Sequence, residues 1–223
     1  MLAALYDIHG NLPALEAVLE DAHELDVDHW LLGGDYGAWS PWPQETIELL
    51  RTLPNTTWLR GNGERWAREL PWDRPEVVAM LENYDSGFGN DEGWLYSLQE
   101  HADIEGVLYV HGCPLRDDDS FGKEPAPEDV ARLGGVRNRT IVFGHSHIQF
   151  QREGPFGTYL VNPGSVGMPL DGDVGAAYAV WHGGRAFEFR RVAYDNDRAA
   201  AAYEALEHPF GPEAAQRLRK GSD

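Results

Sequence analysis

The stretch Asp7-Ile8-His9-Gly10-Asn11 follows a short apolar run, Leu2-Ala3-Ala4-Leu5, which has the length and composition of a buried strand. A carboxylate and an imidazole two residues apart, where a strand ends, can point the same way and bind one metal ion. The same residue types are also common in loops and helix caps, so this stretch alone does not identify a metal site. Its meaning depends on whether other strands of the chain end in matching ligands.

The composition is that of a folded and strongly acidic protein. Apolar residues make up 42% of the 223 residues, which is enough for one α/β domain with a substantial core, and we predict a single domain over residues 1–223. The 18 Lys and Arg against 37 Asp and Glu leave a net charge of −19. This charge repels a phosphate backbone and argues against broad nucleic-acid binding. A small phosphorylated substrate remains compatible, because bound divalent ions reverse the local sign of the charge.

The sequence also carries expectations about location. No apolar run reaches the roughly 18 residues that cross a bilayer, so we expect no membrane association. No basic segment leads into an apolar stretch at the N-terminus, which argues against a signal peptide. The single Cys113 cannot form an internal disulfide, which suits a reducing, cytoplasmic location. A homo-oligomer is an open possibility.

The first part of the chain alternates strands and helices. We predict strands over residues 2–6, 29–32 and 56–59, and helices over residues 12–25 and 45–53. This alternation is typical of a parallel α/β layer. In such layers ligands bind beyond the carboxyl ends of the strands.

The middle of the chain, about residues 64–100, is rich in aromatic residues and is predicted to form a helical insertion. We predict two or three helices, interrupted near Pro71–Pro75 and at a Gly87/Gly89 turn. Packing is the expected role of the aromatic residues. A helical lid over a binding site is the alternative.

The last part of the chain alternates in strand fashion and then becomes helical. The predicted strands cover residues 106–110, 140–143, 148–152, 158–161, 176–181 and 186–192. Their glycine-rich connections favour an antiparallel sheet. Helices are predicted over about residues 195–220, with Asp195 as the cap of the first.

Each of seven residues of a metal-binding type follows a predicted strand. The set comprises Asp7, His9, Asp35, Asn62, His111, His145 and His147. Seven oxygen and nitrogen donors without a thiolate suit one or two divalent ions such as Mn²⁺, Fe²⁺, Ni²⁺ or Zn²⁺. Four imidazoles argue against a Ca²⁺ or Mg²⁺ site. Each residue alone has an ordinary structural explanation, and their joint occurrence at strand ends is what indicates a metal centre.

In these motifs the chain resembles the calcineurin-like metallophosphoesterases, also called the purple-acid-phosphatase superfamily, and in particular their small bacterial and archaeal phosphodiesterase-type branch. The resemblance spans roughly residues 2–192 and rests on Asp7-Ile8-His9, Gly34-Asp35, Gly61-Asn62, His111-Gly112, Gly144-His145-Ser146-His147 and Asn162-Pro163-Gly164-Ser165. It implies an α/β fold, a four-layer α/β/β/α sandwich of two mixed sheets flanked by helices. It also implies a dinuclear metal site at one edge of the paired sheets.

The resemblance further implies a role for each ligand. The first ion would be held by Asp7, His9 and His147, the second by Asn62, His111 and His145, and both by Asp35. Asp35, Asn62 and His111 would be the catalytic residues around a hydroxide that bridges the ions, and Asn62 would also contact substrate. The implied activity is hydrolysis of small phosphodiesters. Phosphomonoesterase activity, dinucleoside-polyphosphate hydrolysis and a non-catalytic metal-bound scaffold are the alternatives.

The chain departs from the family pattern at two positions. Many members have a histidine directly after the motif asparagine as general acid, supported by an aspartate three residues beyond the bridging one. Here these positions are Gly63 and Ala38. The absence of this pair favours a phosphodiester with a relatively good leaving group over a monoester.

The roles of several other residues have two interpretations. Arg116 and Arg60 have the chemistry to orient a phosphate, although salt bridges are the alternative in so acidic a protein. Trp39 and Trp42 follow the bridging aspartate, and they are expected either to line the substrate pocket or to pack in a loop. Structural or surface roles are expected for the remaining polar residues, His23, His29, His101, His182, His208, Asp171 and Asp173.

Overall fold

The first of two five-stranded sheets is built mainly from the N-terminal part of the chain. The computed structural model describes residues 1–222, and in it this sheet contains β1 (Leu2–Leu5), β2 (His29–Leu32), β3 (Thr56–Trp58), β9 (Ala176–Trp181) and β10 (Phe187–Val192). Their spatial order is β10-β9-β1-β2-β3. Strands β1, β2 and β3 are parallel, whereas β9 pairs antiparallel with β1 and with β10.

The second sheet comes from the middle of the chain. It contains β4 (His101–Ile104), β5 (Val107–Val110), β6 (Thr140–Val142), β7 (Phe150–Glu153) and β8 (Tyr159–Asn162), in the order β4-β5-β6-β8-β7. Strands β5, β6 and β8 are parallel, and the two outer strands run antiparallel to their neighbours.

Helices flank the two sheets. They are α1 (Leu12–His23), α2 (Pro43–Arg51), α3 (Asn62–Trp66), α4 (Pro75–Leu81), α5 (Glu92–Tyr96), α6 (Asp129–Arg132), α7 (Asn196–Glu204) and α8 (Gly211–Lys220). The Asn11 side chain caps α1 by accepting a hydrogen bond from the Ala14 N–H at 3.2 Å. The insertion predicted over residues 64–100 forms short helices with breaks between α3 and α4 and before a 3₁₀ turn at Gly89–Asp91.

Three predictions about the elements were wrong. The last part of the chain does not form one antiparallel sheet, because three of its strands are parallel and the β9–β10 hairpin joins the first sheet. The long connection from β5 to β6, which carries α6, allows the chain to return in the same direction. Strand β4 was not predicted. Helix α2 begins at Pro43, two residues before its predicted start, because proline favours the first turn of a helix.

The predicted four-layer arrangement is confirmed, and β1 shows how it arises. Alternate side chains of this strand face opposite sides, as strand geometry requires. Ala3 and Leu5 pack in the cluster that contains the α1 and α2 residues, whereas Leu2 and Ala4 pack between the sheets with residues of the second sheet such as Tyr109. A third cluster covers the outer face of the second sheet.

The C-terminal helices pack against one another and reach the end of β1. Ala199, Ala200 and Tyr203 of α7 share a buried cluster with Ala214 and Leu218 of α8. The Tyr203 hydroxyl also donates a hydrogen bond to the His9 carbonyl, so this helix pair anchors the turn after β1. Within residues 1–222, no helix combines the length and apolar character needed to cross a membrane.

Replacing Trp30 by Ala should strongly destabilise the fold. Trp30 is 1% exposed in the cluster between the first sheet and its helices, so the substitution should lower the free energy of unfolding by about 3–5 kcal/mol. Urea unfolding measures this loss. The matched control is Trp72→Ala, because Trp72 is 74% exposed and its loss should cost only about 0.5 kcal/mol or less. Equal losses in the two variants would contradict this packing.

Candidate metal centre

The turns that follow β1 and β2 are held side by side by their main chains. The N–H groups of Asp7, His9 and Gly10 donate to the carbonyls of Gly34, Asp35 and Tyr36 at 3.1, 2.9 and 2.7 Å. The parallel pairing of the two strands thus continues past their ends. Asp7 and His9 are therefore held next to Asp35.

The backbone of five predicted ligands is left-handed. The φ angles of Asp7, His9, Asp35, His145 and His147 lie between 48° and 64°. Each non-glycine residue in this region costs on the order of 1 kcal/mol, and such residues cluster at functional sites where the surrounding structure holds them. The turns after β1, β2 and β6 therefore store strain at the place where the ligands converge.

One group of ligands consists of Asp7, His9 and His147, whose donor atoms all lie within 4.8 Å of one another. The Nε2 atoms of His9 and His147 are 3.1 Å apart, and His147 Nε2 is 3.5 Å from Asp7 Oδ1. Asp7 is fully buried, and its Oδ1 has no hydrogen-bond partner within residues 1–222. A buried carboxylate oxygen without a donor, facing two imidazole nitrogens, is suited to a cation.

A second group consists of Asp7, Asp35 and His111, again within 4.8 Å. His111 Nε2 lies 3.5 Å from Asp35 Oδ1 and 3.0 Å from the side-chain oxygen of Asn62. The other oxygen of Asp35, Oδ2, lies 3.8 Å from His9 Nε2. The two oxygens of Asp35 thus face different groups, which is the position that a bridging carboxylate requires, although the bridging role itself stays a prediction.

Hydrogen bonds at the outer edge of the site orient the imidazoles. Nδ1 of His111 donates to the Gly33 carbonyl at 2.8 Å, and Nδ1 of His147 donates to the Met168 carbonyl at 2.7 Å. Because carbonyls only accept, these bonds keep a proton on Nδ1, so Nε2 is the nitrogen that can bind a metal when the ring is neutral. His145 lies beside this group, with its ring centroid 5.6 Å from that of His111. All seven predicted ligands therefore lie in one region.

The charges of the site depend on one another. Burial lowers the pKa of His9 to about 3 and of His145 to about 4. Burial also acts to lower the pKa of His111, but the carboxylates of Asp35 and Asp7 raise it to about 9. For Asp7, burial acts to raise the pKa, yet the neighbouring imidazoles hold it below its usual range. A protonated imidazole thus partly compensates two buried carboxylates, a role that a metal cation would take over.

Glu64 is a site residue that the sequence reasoning missed. Its fully buried carboxylate accepts hydrogen bonds from the N–H groups of Asp35, Tyr36 and Gly61 at 2.9, 2.8 and 2.8 Å. It therefore ties the turn after β2 to the start of α3. Burial and the nearby Asp35 raise the pKa of Glu64 to about 7. Its position three residues after Gly61, as in a capping box, was the available signal.

The segment from Asn162 to Met168 braces two of the ligand turns. The Asn162 amide donates to the Gly144 carbonyl at 3.1 Å, next to His145. The Ser165 hydroxyl donates to the Asp7 carbonyl at 2.7 Å and accepts from the Met168 N–H at 2.7 Å. The Asn-Pro-Gly-Ser motif thus has a structural explanation, because it joins the turn after β6 to the turn after β1.

The two arginines considered as phosphate ligands are engaged in ion pairs. Arg116 is half exposed and lies 2.8 Å from Asp118 and 3.7 Å from Asp73, while Arg60 pairs with Glu100. Both arginines line a polar cavity of about 560 Å³ that also reaches His111. Substrate contact by Arg116 stays a prediction.

A smaller cavity of about 180 Å³ opens beside His9, Asp35 and Asn62. Its lining distinguishes between the two roles considered for Trp39 and Trp42, which are lining a substrate pocket and packing in a loop. Trp39 lines this cavity, whereas Trp42 lies below the guanidinium of Arg198 with 5.6 Å between them. His208 also lines it, which its sequence context did not indicate. His101 lines the larger polar cavity. The remaining polar residues have local partners, in the contacts His23–Leu19, His29–Thr57, His182–Glu188, Asp171–Arg191 and Asp173–Gly175.

Comparison with known proteins identifies the family. Residues 1–183 match the calcineurin-like phosphoesterase superfamily domain. An uncharacterised protein of Methanocaldococcus jannaschii is 30% identical, in an alignment that covers 89% of this chain and 90% of that protein. The chain therefore belongs to the calcineurin-like phosphoesterase superfamily, as its motifs suggested. This family is metal-dependent, which agrees with the ligand groups described above.

Solved structures share the fold over the whole chain. A metallophosphoesterase from Sphaerobacter thermophilus is similar with a TM-score of 0.76 and 24% identity, covering 99% of this chain and 98% of that one. The hypothetical protein PH1004 from Pyrococcus horikoshii is similar with a TM-score of 0.82 and 23% identity over the full length of both chains. The two mixed sheets flanked by helices are thus the fold of metallophosphoesterases.

Replacing Glu64 by Gln should loosen the turn that holds Asp35. Three N–H groups donate to this carboxylate, and a glutamine NH₂ group would leave at least one of them without an acceptor. The free energy of unfolding in urea should fall by about 1–3 kcal/mol, and Mn²⁺ affinity should fall with it. Glu16→Gln on the exposed face of α1 is the control and should change neither quantity. An unchanged Mn²⁺ affinity in Glu64→Gln would contradict the positioning role.

Metal binding should release protons. Because the pKa of His111 is about 9 without metal, its ring is protonated at neutral pH and must lose a proton before Nε2 can bind an ion. Mn²⁺ affinity should therefore rise with pH, by about tenfold per unit for each proton released, and level off above about pH 9. Titration calorimetry in buffers of different ionisation enthalpy counts the protons. An affinity independent of pH between about 6 and 8 would refute this.

Proposed function

We propose that this protein is a metal-dependent phosphoesterase that hydrolyses small phosphodiesters. The observation that carries the proposal is the position of Asp35, whose two carboxylate oxygens face His9 on one side and His111 on the other. Two cations held close together need a shared anionic ligand of this kind. Membership of the calcineurin-like phosphoesterase superfamily supports phosphoester chemistry at this centre.

The residues present fit a pair of divalent ions such as Mn²⁺, Fe²⁺, Ni²⁺ or Zn²⁺. Asp7, His9 and His147 would hold one, Asn62, His111 and His145 the other, and Asp35 both. Bound there, the ions would lower the pKa of a water molecule and stabilise charge on the phosphoryl oxygens. The chain's own part is to keep the ligands in place, through the Nδ1 hydrogen bonds of His111 and His147 and the carboxylate of Glu64.

The absence of the family's histidine acid and of its supporting aspartate favours diesters. Gly63 contributes only its N–H, which donates to Asp35 Oδ1 at 2.7 Å, and Ala38 contributes only a methyl group to the cavity beside the site. Neither can protonate a departing alkoxide, so substrates whose leaving group departs as a stable anion are favoured. A diester also brings one negative charge where a monoester brings up to two, which suits a protein of net charge −19. Aryl diesters meet this condition. Cyclic nucleotides, including 2′,3′-cyclic ones, are further candidates, whose alkoxide leaving group would take its proton from water.

Replacing Asp35 by Asn should abolish turnover. The substitution removes the anionic charge between the two ligand groups, so kcat on bis(p-nitrophenyl) phosphate with Mn²⁺ should fall by about a thousandfold or more, equivalent to about 4 kcal/mol. Removal of metal by a chelator should have the same effect, and added Mn²⁺ should restore the wild-type rate. Asp173→Asn is the matched control, because Asp173 lies in an exposed turn and accepts from the Gly175 N–H. Full activity of Asp35→Asn would refute the proposal.

A substrate panel separates the proposed activity from its alternatives. The same metal-loaded sample is given an aryl diester, the corresponding monoester and a dinucleoside polyphosphate, and its metal content is measured. A preference of tenfold or more for either of the last two would replace the diesterase assignment. Two bound ions per chain without turnover on any phosphoester would favour a metal-bound scaffold. Gly63 and Ala38 would also suit a scaffold, because it needs no general acid.

A further inference from the structure

The cavity of about 180 Å³ beside the metal centre has an apolar wall. Apart from the ligands and Gly63, its lining consists of Ala38, Trp39, Trp66, Val77, Met80, Leu81, His208 and Phe210. Burial lowers the pKa of His208, so its ring is neutral near pH 7. The wall therefore carries no charge apart from that of the centre itself.

The cavity lies where helix α4, the segment before α8 and the loop after β2 meet beside the metal centre without filling the space. Helix α4 supplies Val77, Met80 and Leu81, and the segment before α8 supplies Phe210. At the centre, Gly63 has no side chain, and a Cβ there would lie 3.1 Å from Asp35 Oδ1. Gly63 and Ala38, which stand in place of the family's histidine acid and its supporting aspartate, thus also leave this space open.

The wall is suited to a flat ring. An apolar cavity of about 150 Å³ stays dry and binds benzene, so the space beside Asp35 is large enough for one aromatic ring. Trp39 is held in place, since its indole N–H donates to the Tyr84 carbonyl at 3.3 Å. The indole N–H of Trp66 is buried and has no hydrogen-bond partner within residues 1–222.

We propose that this cavity is a subsite for an aromatic group carried by an ester substituent of the substrate phosphate. The inference rests on the proposed function and specifies its substrate class as phosphodiesters that carry an aryl ring or a nucleobase. The phosphate would meet the ligands His9, Asp35 and Asn62 at one end of the cavity, and the ring would lie between Trp39 and Met80. Ring burial provides affinity and fixes the orientation of the ester beside the metal centre.

Binding measurements on the Mn²⁺-loaded protein test the subsite. Titration calorimetry compares dimethyl phosphate with methyl phenyl phosphate and with the methyl phosphodiester of uridine. We expect either ring-bearing diester to bind at least tenfold more tightly than dimethyl phosphate, and the tighter of the two identifies the ring as aryl or nucleobase. Equal affinity for all three diesters would overturn the subsite.

Variants of α4 locate the binding. Val77→Trp would fill the cavity and should reduce the ring preference to threefold or less, with Mn²⁺ content unchanged. Ala79→Trp is the matched control, because Ala79 is exposed on the same helix and does not line the cavity. If Val77→Trp fails to fold, Met80→Trp replaces it. A preference retained in the folded, cavity-filled variant would place the ring elsewhere and overturn the proposal.

Failure of the subsite and failure of the proposed function give different results. Hydrolysis of aryl diesters without any ring preference in binding would refute the subsite and leave the diesterase assignment intact. A ring preference that Val77→Trp removes, in a protein that turns over no phosphoester, would support the aromatic site and refute the catalytic assignment.

Discussion

The structure depends on the burial of two carboxylates, Asp7 and Asp35, at the edge of the paired sheets. Like charges in a buried site repel one another and lose hydration, so they need a compensating positive charge. The protein surrounds them with four imidazoles and keeps one oxygen of Asp7 free of any hydrogen-bond donor within residues 1–222. This arrangement costs stability without a cation, so the geometry of these side chains suits a bound metal ion.

The rest of the fold serves to hold those ligands. Glu64 accepts three N–H groups around Asp35, Ser165 holds the carbonyl of Asp7, and Tyr203 holds that of His9. These braces come from α3, from the loop after β8 and from α7, so the centre is assembled from distant parts of the chain. They also explain how several ligands persist with left-handed backbone, because a strained residue needs a surrounding structure that fixes it.

The missing proton donor and the apolar cavity are two aspects of one feature. A histidine at position 63 would lie against the Asp35 carboxylate, and its absence removes an acid while leaving space beside the centre. Trp39 and the α4 residues make this space apolar. A substrate with an aromatic ester group would use the space and, with a stabilised leaving group, would not require the acid. The proposed chemistry and the proposed specificity therefore follow from the same small side chains.

The sequence by itself determined the fold class and predicted the ligand set, because a polar residue at the end of an apolar strand is a local signal that Asp7, His9 and Asp35 each carry. The antiparallel direction predicted for β5, β6 and β8 was wrong, since side-chain alternation is the same in parallel and antiparallel strands. Only the tertiary structure decided the roles of Glu64 and His208. Their positions beside Asp35 and in the cavity depend on contacts between segments far apart in the chain, and such contacts leave no periodic pattern in the sequence.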